Sequence, residues 1–261
     1  MKLKKSELKA FLDALYQKYN RPGFIADDPI QVPHGFARRE DIEISAFFAA
    51  TFAWGQRKTI ISKSRELMQR MGEEPHRFIT EHRPKDLRAL EGFVHRTFND
   101  TDLLTFVEAL RRIYSEFGSL EAAFCLEAHT GMEAIKLFRE RFMFDGFPKR
   151  SVRHISDPST GSSAKRLNMF LRWMVRNDGK GVDFGIWKSL ETSGLSIPLD
   201  VHTGTTARML GLLKRTQNDR KAVDELDKAL RRFDALDPVK YDFALFGLGA
   251  DSGRKALIQK V

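Results

Sequence analysis

Ile42-Glu43-Ile44-Ser45-Ala46-Phe47-Phe48-Ala49-Ala50-Thr51-Phe52-Ala53-Trp54 is the stretch on which the reading of this chain turns. Its apolar residues run nearly all round a helical wheel, with alanines between the large side chains, instead of gathering on one stripe. A helix of that kind is buried on every side, so the stretch predicts a central core helix with other helices wrapped round it. Gly55 ends it, and Gln56-Arg57-Lys58 leads into a second helix carrying Ile60, Ile61, Ser64, Leu67, Met68 and Met71, closed by Gly72.

Outward from this pair the helical period recurs in both directions. Leu8, Phe11, Leu12 and Leu15 mark a helix from Ser6 to Tyr19, stopped by Asn20-Arg21-Pro22-Gly23 and followed by a polar loop with Pro29 and Pro33. Downstream, shorter helical signals at Pro75 to Glu81 and Lys85 to Leu90 precede a helix opened by Thr101-Asp102 and ended at Gly118. Ser119 begins another around Phe124, and Met132, Ile135, Phe138 and Phe142 mark the next. Val223, Leu226, Leu230 and Phe233 follow the same spacing, and Asp237-Pro238 opens a last helix holding Tyr241, Phe243, Phe246, Gly247 and Gly249. Strand-like alternation is nowhere sustained, and no repeat or low-complexity linker interrupts the pattern. The expectation is an all-α protein, residues 1–261 forming a single globular unit.

Composition narrows the function classes. No window approaches 18 uncharged apolar residues, which excludes a membrane span, and Met1-Lys2-Leu3-Lys4-Lys5-Ser6-Glu7 has no apolar signal-peptide core, so a cytoplasmic protein is expected. The single cysteine, Cys125, sits among Ala122, Ala123, Phe124 and Leu126 and reads as a small buried hydrophobe. It leaves no disulfide or iron–sulfur cluster within the chain. The seven histidines show none of the usual zinc spacings, so neither a metal nor another cofactor is expected. The net charge of +9 is uneven: residues 149–215 hold 12 Lys and Arg against 5 Asp and Glu, a concentration that argues for a polyanionic partner.

Two stretches in this basic third stand out. Asp157-Pro158-Ser159-Thr160-Gly161-Ser162-Ser163-Ala164-Lys165-Arg166 is a turn of small polar residues opening a helix in which Leu167, Phe170, Leu171 and Met174 form the buried face. On a wheel, Lys165, Arg172 and Arg176 fall on the opposite face within about 40° of one another, which predicts a solvent-facing basic ridge. The Thr160-Gly161-Ser162-Ser163 turn offers backbone N–H groups at the positive end of the helix dipole, a place for a phosphate; equally, Ser162 or Ser163 serves as a plain helix cap. The second stretch, Ile197-Pro198-Leu199-Asp200-Val201-His202-Thr203-Gly204-Thr205-Thr206-Ala207-Arg208, puts a lone carboxylate at the start of a helix, where it reads either as a reacting acid or as an ordinary N-cap.

Together the two stretches resemble the helix-hairpin-helix base-excision DNA glycosylases. Ile197 to Thr203, with Ala207-Arg208 and Leu210-Gly211, is similar to the segment carrying that family's catalytic Asp, and Thr160-Gly161-Ser162-Ser163-Ala164-Lys165 to a diverged form of its hairpin, whose lysine is the nucleophile of bifunctional members. Trp54-Gly55-Gln56 resembles the segment that places a Gln or Asn in the duplex where the damaged base was, and Tyr241 to Gly247 the helix closing the base pocket. Ser159 stands where the hairpin's first Gly would be, and Lys165 follows Gly161 by four residues instead of two. The wide Lys165 to Asp200 spacing resembles the archaeal 8-oxoguanine glycosylase branch, and the chain as a whole a bacterial group of uncharacterised relatives.

The resemblance implies two interlocked helical subdomains with a cleft between them, about 38–150 and 151–261, the latter with the N-terminal helix 6–20. It implies Asp200 and Lys165 as catalytic residues, with Gln56 as wedge and Phe243 or Phe246 at the base pocket. Contacts to double-stranded DNA are expected from Arg57, Lys58, Gly161, Ser162, Ser163, Arg166, Arg172, His202 and Thr203. Such a protein acts as a monomer in the nucleoid. A fixed carboxylate stabilises positive charge on the sugar as an N-glycosidic bond breaks, and an amine whose pKa is lowered by burial or by cations such as Arg166 and Arg172 attacks the anomeric carbon. Two other readings stand beside it: a monofunctional enzyme in which Lys165 only contacts phosphate, and a non-enzymatic nucleic-acid-binding protein that keeps the fold.

Overall fold

The computed structural model describes residues 4–250, whose regular structure is helical apart from one two-stranded ribbon. Helix α1 spans Lys5–Tyr19. The expected polar loop after it is instead three short 3-10 turns, each with proline as its first residue: Pro22, Pro29 and Pro33. Proline suits that position because the N–H it lacks would have had no partner there. Helices α2 (Arg39–Thr51), α3 (Arg57–Arg70) and α4 (Pro75–Glu81) follow, then a 3-10 turn at Asp86–Leu90.

The ribbon pairs β1 (Val94–His95) with β2 (Phe98–Asn99). Two residues per strand are too few to register as alternation, which is why sequence periodicity passes over them. The remaining helices are α5 (Asp100–Phe117), α6 (Leu120–Cys125), α7 (Gly131–Phe142), α8 (Lys149–Val152), α9 (Lys165–Val175), α10 (Val201–Met209), α11 (Arg220–Arg231) and α12 (Tyr241–Ala250). Caps set several of these boundaries. Asn99 accepts from the Asp102 amide and so starts α5 slightly ahead of Thr101-Asp102, and Thr130 with Glu133 forms a reciprocal box at α7.

Helix α2 lies at the centre, with every side chain from Asp41 to Thr51 buried. Phe47 meets Phe138 and Phe170 edge-on and stacks on Phe106, so α2, α5, α7 and α9 share one aromatic core. One buried residue of this helix, Glu43, accepts from Trp187 Nε1 (2.8 Å), Tyr114 Oη (3.0 Å) and the Leu120 amide (3.2 Å), and burial raises its pKa. A buried carboxylate is tolerated when its lone pairs are filled in this way, and here it ties several distant segments together.

Helix α1 packs on α12, joining the two ends of the described chain, and α12 also packs on α10. The α1 approach depends on Gly247, where a Cβ would stand 2.4 Å from the Tyr19 ring. Among the described residues no helix is long and apolar enough to cross a membrane.

The basic ridge expected on α9 is not at the surface. Arg172 and Arg176 are buried, 3% and 0% exposed. Arg172 pairs with Asp183 and Asp242, and Arg176 with Asp183, Asp178 and Asp237 while donating to Tyr16 Oη. The wheel placed both arginines opposite the apolar stripe correctly, but acids from as near as Asp178 and as far as Asp242 cover that face. Two of the 12 basic residues counted in residues 149–215 are therefore paired inside the protein, partly with acids from outside that stretch, Asp237 and Asp242.

Candidate active cleft

Helices α9 and α10 begin at the same opening. Lys165, the first residue of α9, and Asp200, the residue before α10, both line a cleft of about 580 Å³. Its walls come from the 3-10 segment (Phe24, Asp28), the α2–α3 corner (Trp54, Gly55, Arg57), the turn before α9 (Ser162, Ser163) and α12 (Asp242, Phe246).

At the start of α10 Asp200 has extended backbone and its Oδ1 accepts from the Thr203 amide at 2.8 Å, the N-cap read from the sequence. Its carbonyl takes a second hold, from Asn218 Nδ2 at 3.0 Å. Oδ2 has no hydrogen-bond partner among the described residues, so the carboxylate is fixed by one oxygen and open to the cleft by the other. Asp200 is therefore a cap and also a cleft residue.

The start of α9 is built without a side-chain cap. Ala164 occupies the N-cap position in the left-handed region (φ 47°) and the helix begins at Lys165, so neither Ser162 nor Ser163 is its N-cap. Ser162 Oγ accepts from the Ala164 amide at 3.1 Å, and Gly161 (φ 94°) turns the chain. Half-buried Lys165 donates to the Ala53 carbonyl at 3.4 Å and makes no ion pair among the described residues. Arg166, beside it, donates to the carbonyls of Thr51 and His154 and lies 4.9 Å from the Trp54 ring centroid. Burial with no acid partner pushes its pKa down to about 10. The bond to Thr51 holds the C-terminal end of α2, so Arg166 is tied to the backbone while it lines the cleft wall.

Beneath both helix starts lies an acid that sequence reasoning missed. Asp242 is buried and accepts from Thr203 Oγ1 (3.1 Å) through one oxygen and from Arg172 through the other. Burial raises its pKa to about 6, with Arg172 opposing the rise and Asp200 adding to it. Thr203 is thus wholly buried, amide to Asp200 and hydroxyl to Asp242, and corrects the expectation of a phosphate contact. Arg172, likewise, is engaged by two acids on the cleft floor. The signal for Asp242 was present: it is the one charge in the otherwise apolar Tyr241–Ala250 helix.

Of the two phenylalanines expected at the base pocket, only Phe246 lines the cleft. It lies one turn from Asp242 on the same face, with the Arg57 guanidinium 5.1 Å from its ring and His202 edge-on at 5.8 Å. Phe243, adjacent to Asp242 in sequence, points about a hundred degrees away and is buried against Arg172, Arg176 and Phe24. His202 is exposed, its Nδ1 3.1 Å from the Gly249 carbonyl. Gln56 and Lys58 are exposed where α3 begins, Gln56 between the cleft-lining Gly55 and Arg57. Asp28, 8% exposed, was also missed; it caps Ile30, and burial raises its pKa against the pull of Arg172, Arg57 and Lys165.

The structure therefore brings Lys165, Asp200, Ser162, Ser163, His202, Arg57 and Phe246 to one opening, with Gln56 at its rim; Arg166 and Arg172 line the same cleft but are engaged within the protein, and Thr203 and Phe243 are buried away from it. No curated protein and no solved structure matches the chain. One family does: its description is "protein of unknown function (DUF2400)", the match runs over residues 28–251 and so takes in every cleft residue from Asp28 to Phe246, and the chain belongs to that family.

Proposed function

We propose that the protein is a DNA N-glycosylase of the helix-hairpin-helix kind that removes a damaged base, an oxidised purine being the favoured class, and that Lys165 gives it an AP-lyase step. The observation that carries this reading is the convergence of Lys165 and Asp200, 35 residues apart, on one cleft with aromatic walls and room for a nucleobase. A base can be acted on only after it leaves the stack, and Trp54 and Phe246 supply aromatic side chains to the lining of the cleft that would receive it. Gln56, exposed at the rim, is suited to fill the gap left behind.

In this mechanism the Lys165 amine, once deprotonated, bonds to the sugar's anomeric carbon as the bond to the base breaks. The base leaves with the bonding electrons and takes up a proton. Positive charge on the sugar is greatest midway, and the fixed Asp200 carboxylate opposes it. Ring opening converts the adduct to an imine, from which strand cleavage follows.

Borohydride reduces such an imine to a stable amine. Incubating the protein with lesion-bearing duplexes and borohydride should give a covalent complex that is lost in Lys165→Gln. Base release without trapping would assign Lys165 to phosphate binding, and duplex binding with neither activity would leave a non-enzymatic binding protein.

A further inference from the structure

The tip of the β1–β2 ribbon carries an arginine in a costly backbone conformation. His95 pairs with Phe98, so Arg96 and Thr97 form a two-residue turn, and Arg96 has φ 56°. Glycine is the residue favoured there, because a Cβ in the left-handed region crowds the following carbonyl. The Arg96 side chain lies against Gly55: a Cβ on Gly55 would stand 2.7 Å from Arg96 Nη1, and Gly55 is itself at φ 107°. Two backbone positions of unusual conformation, 41 residues apart, are thus arranged around one guanidinium next to Gln56.

The ribbon is anchored inward and charged outward. His95 is buried, its Nε2 3.0 Å from the Phe52 carbonyl and its ring 4.8 Å from that of Trp54. On the outer side Arg150 and Arg153, both exposed, donate to the Thr97 carbonyl at 3.4 and 3.2 Å. Arg150 also pairs with buried Asp102, whereas Arg96 and Arg153 have no ion-pair partner among the described residues. No interaction within the described fold explains an exposed, unpaired arginine where glycine is cheaper.

We infer that the ribbon tip is a second anion-binding arm, in which Arg96 and Arg153 hold the phosphodiester backbone of a duplex beside the Gln56 corner, apart from the α9 and α10 helix starts. A guanidinium fork matches phosphate oxygens, and two such contacts steer and register a duplex without reading its sequence. The inference rests on the glycosylase reading for its partner and adds a surface to it.

Arg96→Gly is the decisive variant, because it removes the guanidinium and relieves the backbone together. The melting temperature should rise while affinity for a lesion-containing duplex falls about three- to tenfold, and the slope of log K against log salt should shrink by about one. Adding Arg153→Gln should take away about one further unit of slope, whereas Arg232→Gln, at an exposed arginine in the turn after α11, should change neither. Wild-type affinity and slope in the double variant, with base release intact, would overturn this inference alone. Failure of the wild-type protein to bind any duplex would overturn it together with the proposed function.

Discussion

The two helices that open onto the cleft begin in opposite ways. Helix α10 starts on Asp200, a negative group at the positive end of a helix dipole, with one oxygen bound to the Thr203 amide. Helix α9 starts on Ala164, which has no polar side chain, and its first residue is a lysine whose charge the same kind of dipole opposes. One start holds its charge in place and the other leaves its charge weakly held, with only the Ala53 carbonyl at 3.4 Å. A capped acid gives a fixed electrostatic stabiliser, and a loosely held amine gives a group that can change partner. The difference is what the proposed division of labour between carboxylate and nucleophile requires.

The largest effect should come from the fixed side. Asp200→Asn keeps the cap, since Asn and Asp are equivalent N-caps, but removes the charge; base release should fall by roughly a thousandfold with stability within about 0.5 kcal/mol of wild type. Asp200→Ala should lose about 1 kcal/mol of stability as well. Equal activity loss accompanied by unfolding in both variants would reduce Asp200 to a cap. Arg172→Met tests the floor shared by the two helices. It leaves buried Asp242 without its cation and Asp183 with Arg176 alone, and should lower unfolding free energy in urea by about 3–5 kcal/mol.

Acid separates the two sides further. Behind the α9 wall, His154 is buried near Trp54, and its pKa is lowered to about 4, burial being the main cause. The unfolded chain takes up that proton first, so stability should fall as pH drops from about 6.5 to 4, by up to about 3 kcal/mol. Under α10, Asp242, raised to about 6 by burial, binds its proton first in the folded state, so its contribution grows over the same window and is lost as pH rises through 6. Chemical denaturation across this range should show His154→Phe losing less stability on acidification than wild type. The smallest effect is at the α9 turn: Ser162→Ala removes the acceptor for the Ala164 amide and should cost about 1 kcal/mol in thermal melts.

Periodicity made the helices legible because each buries a face, and α2 was legible as the centre because it buries all of them. Asp200 and Lys165 could be singled out because polar residues where helices begin are local signals. What stayed hidden depends on partners distant in sequence. Nothing near Arg172 announces that Asp242, 70 residues on, will take its charge, and nothing near Thr203 announces that its hydroxyl will turn inward to the same acid. Phe243 and Phe246 are alike in sequence, and only the packing of α12 between α1 and α10 decides which of them reaches the cleft. The ribbon escaped because its signal is a backbone angle at Arg96, which residue type alone argues against.

The central claim is that Asp200 and Lys165, at the starts of two helices, form one reactive site, and free-base release under single-turnover conditions tests it most directly. Duplexes carrying oxidised purines should yield the free base with wild-type protein, detected by mass spectrometry, and essentially none with Asp200→Asn at matched duplex occupancy. Release that is undiminished in Asp200→Asn, or no release from any lesion by a wild-type protein that binds the duplex, would contradict the account.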